Sequence, residues 1–178
     1  SEAEEVLREV KEVVDRSREL AERVLRAVRE LVKRDEDLAR KILEDVARVV
    51  KTIDDLARER SDEEVLRRVK RLVDELRKKL KKVLEDSARL AEDLRRKAEE
   101  VKRESKRLSD ELREKAKKAG VDKEVVDRAD RALREVNKRL DEVVREVEKL
   151  LRESLDRSRR VIEEVAKRLE EVLKKLED

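Results

Sequence analysis

The chain has 178 residues, 57% of them charged and 37% hydrophobic, with a single Gly and no aromatic residue, His, Pro, Cys or Met. Lys and Arg number 52 against 49 Asp and Glu, so the net charge is only +3 and the long-range field is too weak to attract polyanions in general. This composition excludes disulfides, ordinary zinc sites, nucleophile–imidazole pairs and Glu-x-x-His di-iron motifs, and one glycine makes no phosphate-cradling loop. What remains, an alphabet of Ala, Leu, Val, Glu, Lys, Arg and Asp with interleaved charges, is that of long helices and coiled coils.

The first helix is predicted from about residue 2 to 59. Ser1 and Glu4 fit a capping box, in which the hydroxyl accepts from the third helical amide and the glutamate returns to the cap residue. From Val6 the apolar pattern repeats in 18-residue blocks, VLREVKEVVDRSRELAER, VLRAVRELVKRDEDLARK and ILEDVARVVKTIDDLARE. Eighteen residues make five turns, so the apolar face returns to the same angle and the helix needs no supercoil. Asp35, in the run Lys33 to Asp37, could cap a new helix, but Leu31, Val32, Leu38 and Ala39 keep the stripe in phase and no Gly or Pro helps a turn.

Ser61 and Glu64 form a second capping box, and three further blocks from Val65 predict a helix from about 62 to 119. Gly120 stands where a left-handed residue would end it, Val121 offers the apolar contact that follows such an end, and Asp122 can cap the next helix. Three blocks from Val125 then predict a helix from about 123 to 178. Each helix would be roughly 85 Å long at about 1.5 Å per residue, and none can bury its face alone. Two tight connections make neighbours antiparallel, so the expected fold is all-α, an up-down-up three-helix bundle forming one domain over 1–178 with one continuous core. The first helix's apolar arc is roughly 140° wide, from Leu20, Leu38 and Leu56 at one edge to Leu7, Leu25 and Leu43 at the other. An arc that wide serves two neighbours, or leaves a groove between the first and third helices for a fourth.

Polar residues interrupt the stripes at corresponding places. Ser17 and Asp35 share the block position of Ile53; Ser87 and Ser105 share that of Val69; Ser154 and Ser158 lie on the third stripe and Asn137 at its edge. With the turns near residues 61 and 120, Ser17 falls level with Ser105 and Asn137, and Asp35 with Ser87 and with Ser154 or Ser158. Asp35 is the one carboxylate placed in the core. Buried polar groups are costly unless paired, so these seven residues are expected to form two interhelical hydrogen-bonded layers that penalise slipped registers. The alternative is that the serines are small fillers, bonding back to a carbonyl one turn earlier.

The residues from Arg67 to Lys82 include nine basic side chains against Asp74 and Glu75. With no aromatic residue to stack bases, this stretch reads as solvated helix surface, and no nucleic-acid partner is expected. No apolar run approaches a membrane span and no segment has the form of a secretory signal, so no membrane partner is expected and localisation stays open. A chain that starts at Ser1 without Met is expected to be a trimmed recombinant product.

The 18-residue blocks in all three helices, the short turns at Arg60-Ser61-Asp62 and Ala119-Gly120-Val121-Asp122, and the matched polar layers resemble parametrically designed helical bundles with installed hydrogen-bond networks. Lys102, where Leu66 and Leu84 stand in the other blocks, departs from a strict copy. Spectrin-like three-helix repeats are a weaker likeness, because they carry aromatic core residues. The resemblance implies a thermostable scaffold with no evolved substrate, no enzymatic activity and no cofactor. On this reading the chain is monomeric and needs no partner; the alternative is a binding module that accepts a designed helix or a second copy of itself.

Overall fold

The structure, a computed structural model, describes residues 1–59 and 63–177, without the side chains of 57, 176 and 177. It is an all-α three-helix bundle of α1 (Glu2–Glu59), α2 (Glu63–Lys118) and α3 (Lys123–Glu177). α1 runs unbroken through Lys33 to Asp37, where the in-phase stripe outweighs the capping potential of Asp35.

The helix ends follow their local chemistry. The Glu4 amide donates to Ser1 Oγ at 3.3 Å, the first half of the capping box; in place of the second hydrogen bond the Glu4 carboxylate lies at ion-pair distance, 3.9 Å, from the Ser1 ammonium. The second box rests on Ser61 and lies outside the described residues. Lys115, Lys117 and Lys118 close the last turn of α2, where positive charge opposes the helix dipole. Gly120 follows with φ 64°, a conformation that costs an L side chain energy, and its amide donates to the Lys117 carbonyl at 3.3 Å. Val121 is half-buried against the core. Asp122 starts α3 through its backbone, its carbonyl accepting from Val125 and Val126 at 3.0 and 3.1 Å.

The chain divides into two compact units, each taking a share of all three helices. Unit 1 is Ser1–Glu30 with Ala91–Leu151, and unit 2 is Leu31–Leu90 with Arg152–Asp178. In unit 1, Arg113 pairs with Asp130 and Lys102 with Asp141, so α3 climbs as α2 descends and the two are antiparallel. Glu22–Arg139 and Arg29–Glu146 rise together, so α1 and α3 are parallel. In unit 2, Asp35 meets Ser87 and Ile53 shares a cleft with Val69, which again makes α1 and α2 antiparallel.

Apolar side chains at helical spacing fill each unit. Val6, Val10 and Val14 of α1 meet Leu112 and Ala116 of α2 and Ala129, Leu133 and Val136 of α3 in unit 1. Val46 and Ile53 meet Val69, Val73 and Leu80, and Val165, Leu169 and Val172, in unit 2. Each fully buried Val, Leu or Ile contributes about 1.5–3 kcal/mol relative to exposure, and this packing holds the helices far more than their intrinsic propensity does.

Candidate functional site

The polar residues singled out on the stripes occupy different settings in the two units. In unit 2, Asp35 Oδ2 accepts from Ser87 Oγ at 2.7 Å and from Ser154 Oγ at 3.2 Å. One carboxylate oxygen of α1 thereby joins a hydroxyl from each of the other helices. Ser87 and Ser154 are buried, whereas Asp35 is half-buried and not sealed in the core as the stripe predicts. Its surroundings explain the difference: serines at three neighbouring positions leave space, and Asp35, Ser87 and Ser158 border a cavity of about 30 Å³ between the helices. Oδ1 takes no protein hydrogen bond and is not among the fully buried unpartnered atoms, so it keeps access to solvent. Ser158 is half-buried beside that cavity and makes no hydrogen bond to Asp35.

In unit 1 the hydrogen bonds of the stripe residues tie α2 to α3, and α1 joins through surface ion pairs instead. Ser105 Oγ donates to Asn137 Oδ1 at 3.1 Å, and Asn137 Nδ2 donates to Ser109 Oγ at 3.3 Å. Ser109 Oγ in turn donates to the Ser105 carbonyl at 2.7 Å, the back-bond of a helix serine. Ser17 is buried at the predicted level but forms no hydrogen bond; it borders a cleft of about 350 Å³ between α1 and α2. Ser109 is 0% exposed and was not singled out from the sequence. Its signal was available, since it occupies the block position of Val73 and Ala91, both buried.

Ion pairs surround these contacts. Lys115 reaches Glu9 at 2.9 Å, and that hydrogen bond holds the Lys115 ammonium above its ordinary pKa against the opposing effect of burial. Arg113 Nε lies 2.6 Å from Asp130 Oδ1, close enough for an ion pair but without the alignment of a hydrogen bond. Lys102, the departure from the leucine pattern, lies 3.0 Å from Asp141, so an interhelical charge pair replaces apolar contact there. Arg107 lowers the pKa of Glu104 chiefly by hydrogen bonding, with a smaller charge effect from Arg16. In unit 2, Arg157 pairs with Glu36.

Among the described residues four large apolar side chains are exposed, Leu38 at 37%, Leu56 at 41%, Leu72 at 47% and Leu90 at 47%. All belong to unit 2 and all line clefts between α1 and α2. The basic residues of the stretch from Arg67 to Lys82 are exposed on α2, where Arg67 and Arg68 pair with Glu63 and Glu64 one turn earlier. Among the described residues no group of three or more acidic, His or Cys side chains could hold a metal, and no helix is long and apolar enough to cross a membrane.

No protein-family model and no curated protein matches the chain. Among solved structures it is similar to a computationally designed three helix bundle, with 17% identity, coverage of 98% of this chain and 86% of that one, and a TM-score of 0.49. Chemically the two settings offer a carboxylate that accepts from two serine hydroxyls and an amide that bonds two more.

Proposed function

We propose that the chain is a designed structural scaffold without catalytic activity, whose polar contacts select one helix register. The repeat supplies the motive: blocks of 18 residues look alike to a helix that slides by one block, so apolar packing alone discriminates poorly between registers. Asp35 carries this reading, because its Oδ2 accepts from Ser87 on α2 and Ser154 on α3 at once. Moving any one of the three helices would strand a carboxylate or a hydroxyl against valine and leucine, at a cost of about 1–3 kcal/mol for each unpaired group and more for the charge.

The test replaces the polar residues by their own block equivalents. Asp35→Ile, Ser87→Val and Ser154→Val copy Ile53, Val69 and Val172, so the triple variant is expected to fold with equal or greater stability. Spin labels on the exposed Asp45 and Arg77 report register by their distance distribution. One narrow peak is expected in the parent and several in the triple variant. A single peak at the same distance in both would remove the register role and leave the serines as fillers.

A second reading, a module that accepts a helix or self-associates, is favoured by one observation, the four exposed leucines of unit 2. Monomeric state is the point at which the two readings part.

A further inference from the structure

We propose that the α1–α2 face of unit 2 docks a second copy of the same face, giving a two-fold dimer. The inference rests on the self-associating reading above, and it concerns unit 2 alone.

The four exposed leucines are ordered. In this register α1 and α2 residues whose numbers add to about 121 lie opposite one another, so Leu90 stands across from Leu31, Leu38 from Val83, Leu72 from Val49, and Leu56 from Val65. Each pair sets an exposed leucine against a residue that is buried or half-buried. The projecting member alternates between helices along the groove: α2, α1, α2, α1. A two-fold axis parallel to the helices lays α1 of one copy over α2 of the other with levels unchanged. Leu38 then projects over the recessed Val83 of the second copy, and the second copy's Leu90 over Leu31. Bumps meet hollows over the whole face, as an isologous interface requires.

The charges at the rim agree. Arg34 of α1 and Asp86 of α2 border the same cleft at the same level, and neither has an ion-pair partner among the described residues. They are unlike charges on opposite walls of a groove. The same two-fold puts Arg34 over Asp86 of the second copy, and Asp86 over its Arg34, so each interface gains the pair twice. The leucines expose on the order of 300 Å² of apolar surface, the size of patch that marks interaction sites yet less than the roughly 800 Å² per partner of a standard interface. Association is therefore expected at micromolar concentrations.

Sedimentation equilibrium across 1–500 µM, roughly the range that such an affinity requires, is the test. The parent is expected to pass from 21.1 kDa to twice that mass. Leu72→Lys with Leu90→Lys, both at exposed sites, is expected to stay at monomer mass with unchanged helical circular dichroism. Arg34→Asp alone is expected to weaken association at least tenfold, and adding Asp86→Arg to restore it, an exchange that a general hydrophobic stickiness would not reproduce. A parent that remains monomeric throughout, assemblies that grow beyond dimers, or charge reversals without effect would each overturn the proposal. Binding of a leucine-repeat peptide by a parent that does not dimerise would also overturn it, in favour of a foreign helix as occupant. With labelled chains diluted into unlabelled parent the spin-label distances stay within one copy, so the register role stands or falls separately.

Discussion

Leu20 and Leu108 are half-buried in unit 1, whereas the leucines at the same block positions in unit 2, Leu38 and Leu56 on α1 and Leu72 and Leu90 on α2, are exposed. Block position sets the angle at which a side chain leaves its helix; what covers it depends on the neighbours. The cleft of unit 1 is flanked by Arg16 and Glu104, long side chains of the kind that can cover apolar surface while their charges reach water. The position of Arg16 holds Thr52 near the far cleft of unit 2, and the position of Glu104 holds Asp86 at the nearer one. One flank of each unit 2 cleft is thus short while the other, Arg34 or Arg68, is long, so flank length alone does not account for the bare leucines. The polar contacts differ as well: a charged acceptor links three helices in unit 2, and a neutral amide links two in unit 1.

The largest effects test whether the units are separate in energy as well as in packing. Leu133 of unit 1 and Leu169 of unit 2 are both 0% exposed. Replacing either by Ala is expected to cost about 2–5 kcal/mol, the transfer loss plus the cavity left behind. Amide hydrogen exchange locates the loss: protection should fall first in the unit that carries the substitution. Equal loss in both units after either change would mean that they open as one, and the comparison would concern surfaces only.

A smaller effect, with opposite signs, tests the polar residues. Ser87→Val removes a donor from the Asp35 carboxylate and is expected to destabilise by about 1–3 kcal/mol. Ser17→Val removes no hydrogen bond, copies the apolar character of Ile53 at the same block position and has a cleft of about 350 Å³ beside it. It is expected to stabilise by about 1 kcal/mol. Denaturant melts of the two variants, run beside the parent, decide; a loss of equal size for Ser17→Val would show that the Ser17 hydroxyl contributes to stability as the Ser87 hydroxyl does.

Most of the fold was legible because it rests on local chemistry repeated many times. Gly120 marks the end of α2, and the unbroken phase from Leu31 to Ala39 carries α1 past Asp35. Levels counted from the turns brought Asp35 beside Ser87 and Ser154, and Ser105 beside Asn137. Level alone did not separate partners from neighbours: Ser17 and Ser158 sit at the right heights without a hydrogen bond, because a short serine must also point within about 3 Å of an acceptor. Ser109 was missed for the opposite reason, since a serine bonding its own helix looks like filler until Asn137 arrives from α3. The exposure of Leu38 was illegible because periodicity gives the direction in which a side chain leaves its helix and not what the neighbouring helix sets over it.

The smallest effect separates the two units by pH. The Lys115 ammonium in unit 1 is held above its ordinary value of 10.5 chiefly by its hydrogen bond to Glu9. A raised folded pKa means that the contribution to stability is fully present below the unfolded value and is lost as pH rises through the folded one. The Arg157–Glu36 pair of unit 2, which is built on a guanidinium in place of an ammonium, serves as the comparison. Raising the pH from about 9 to above 11 should therefore loosen the α1–α2 link of unit 1 and spare the α1–α3 link of unit 2. Lys115 is exposed and its pairing is screened by solvent and salt, so the change in melting temperature is small. Lys115→Gln should melt slightly below the parent at pH 7 and together with it above the folded pKa, while Arg157→Gln should keep a constant offset. An offset for Lys115→Gln that persists at high pH would assign the effect to its packed stem instead of its charge.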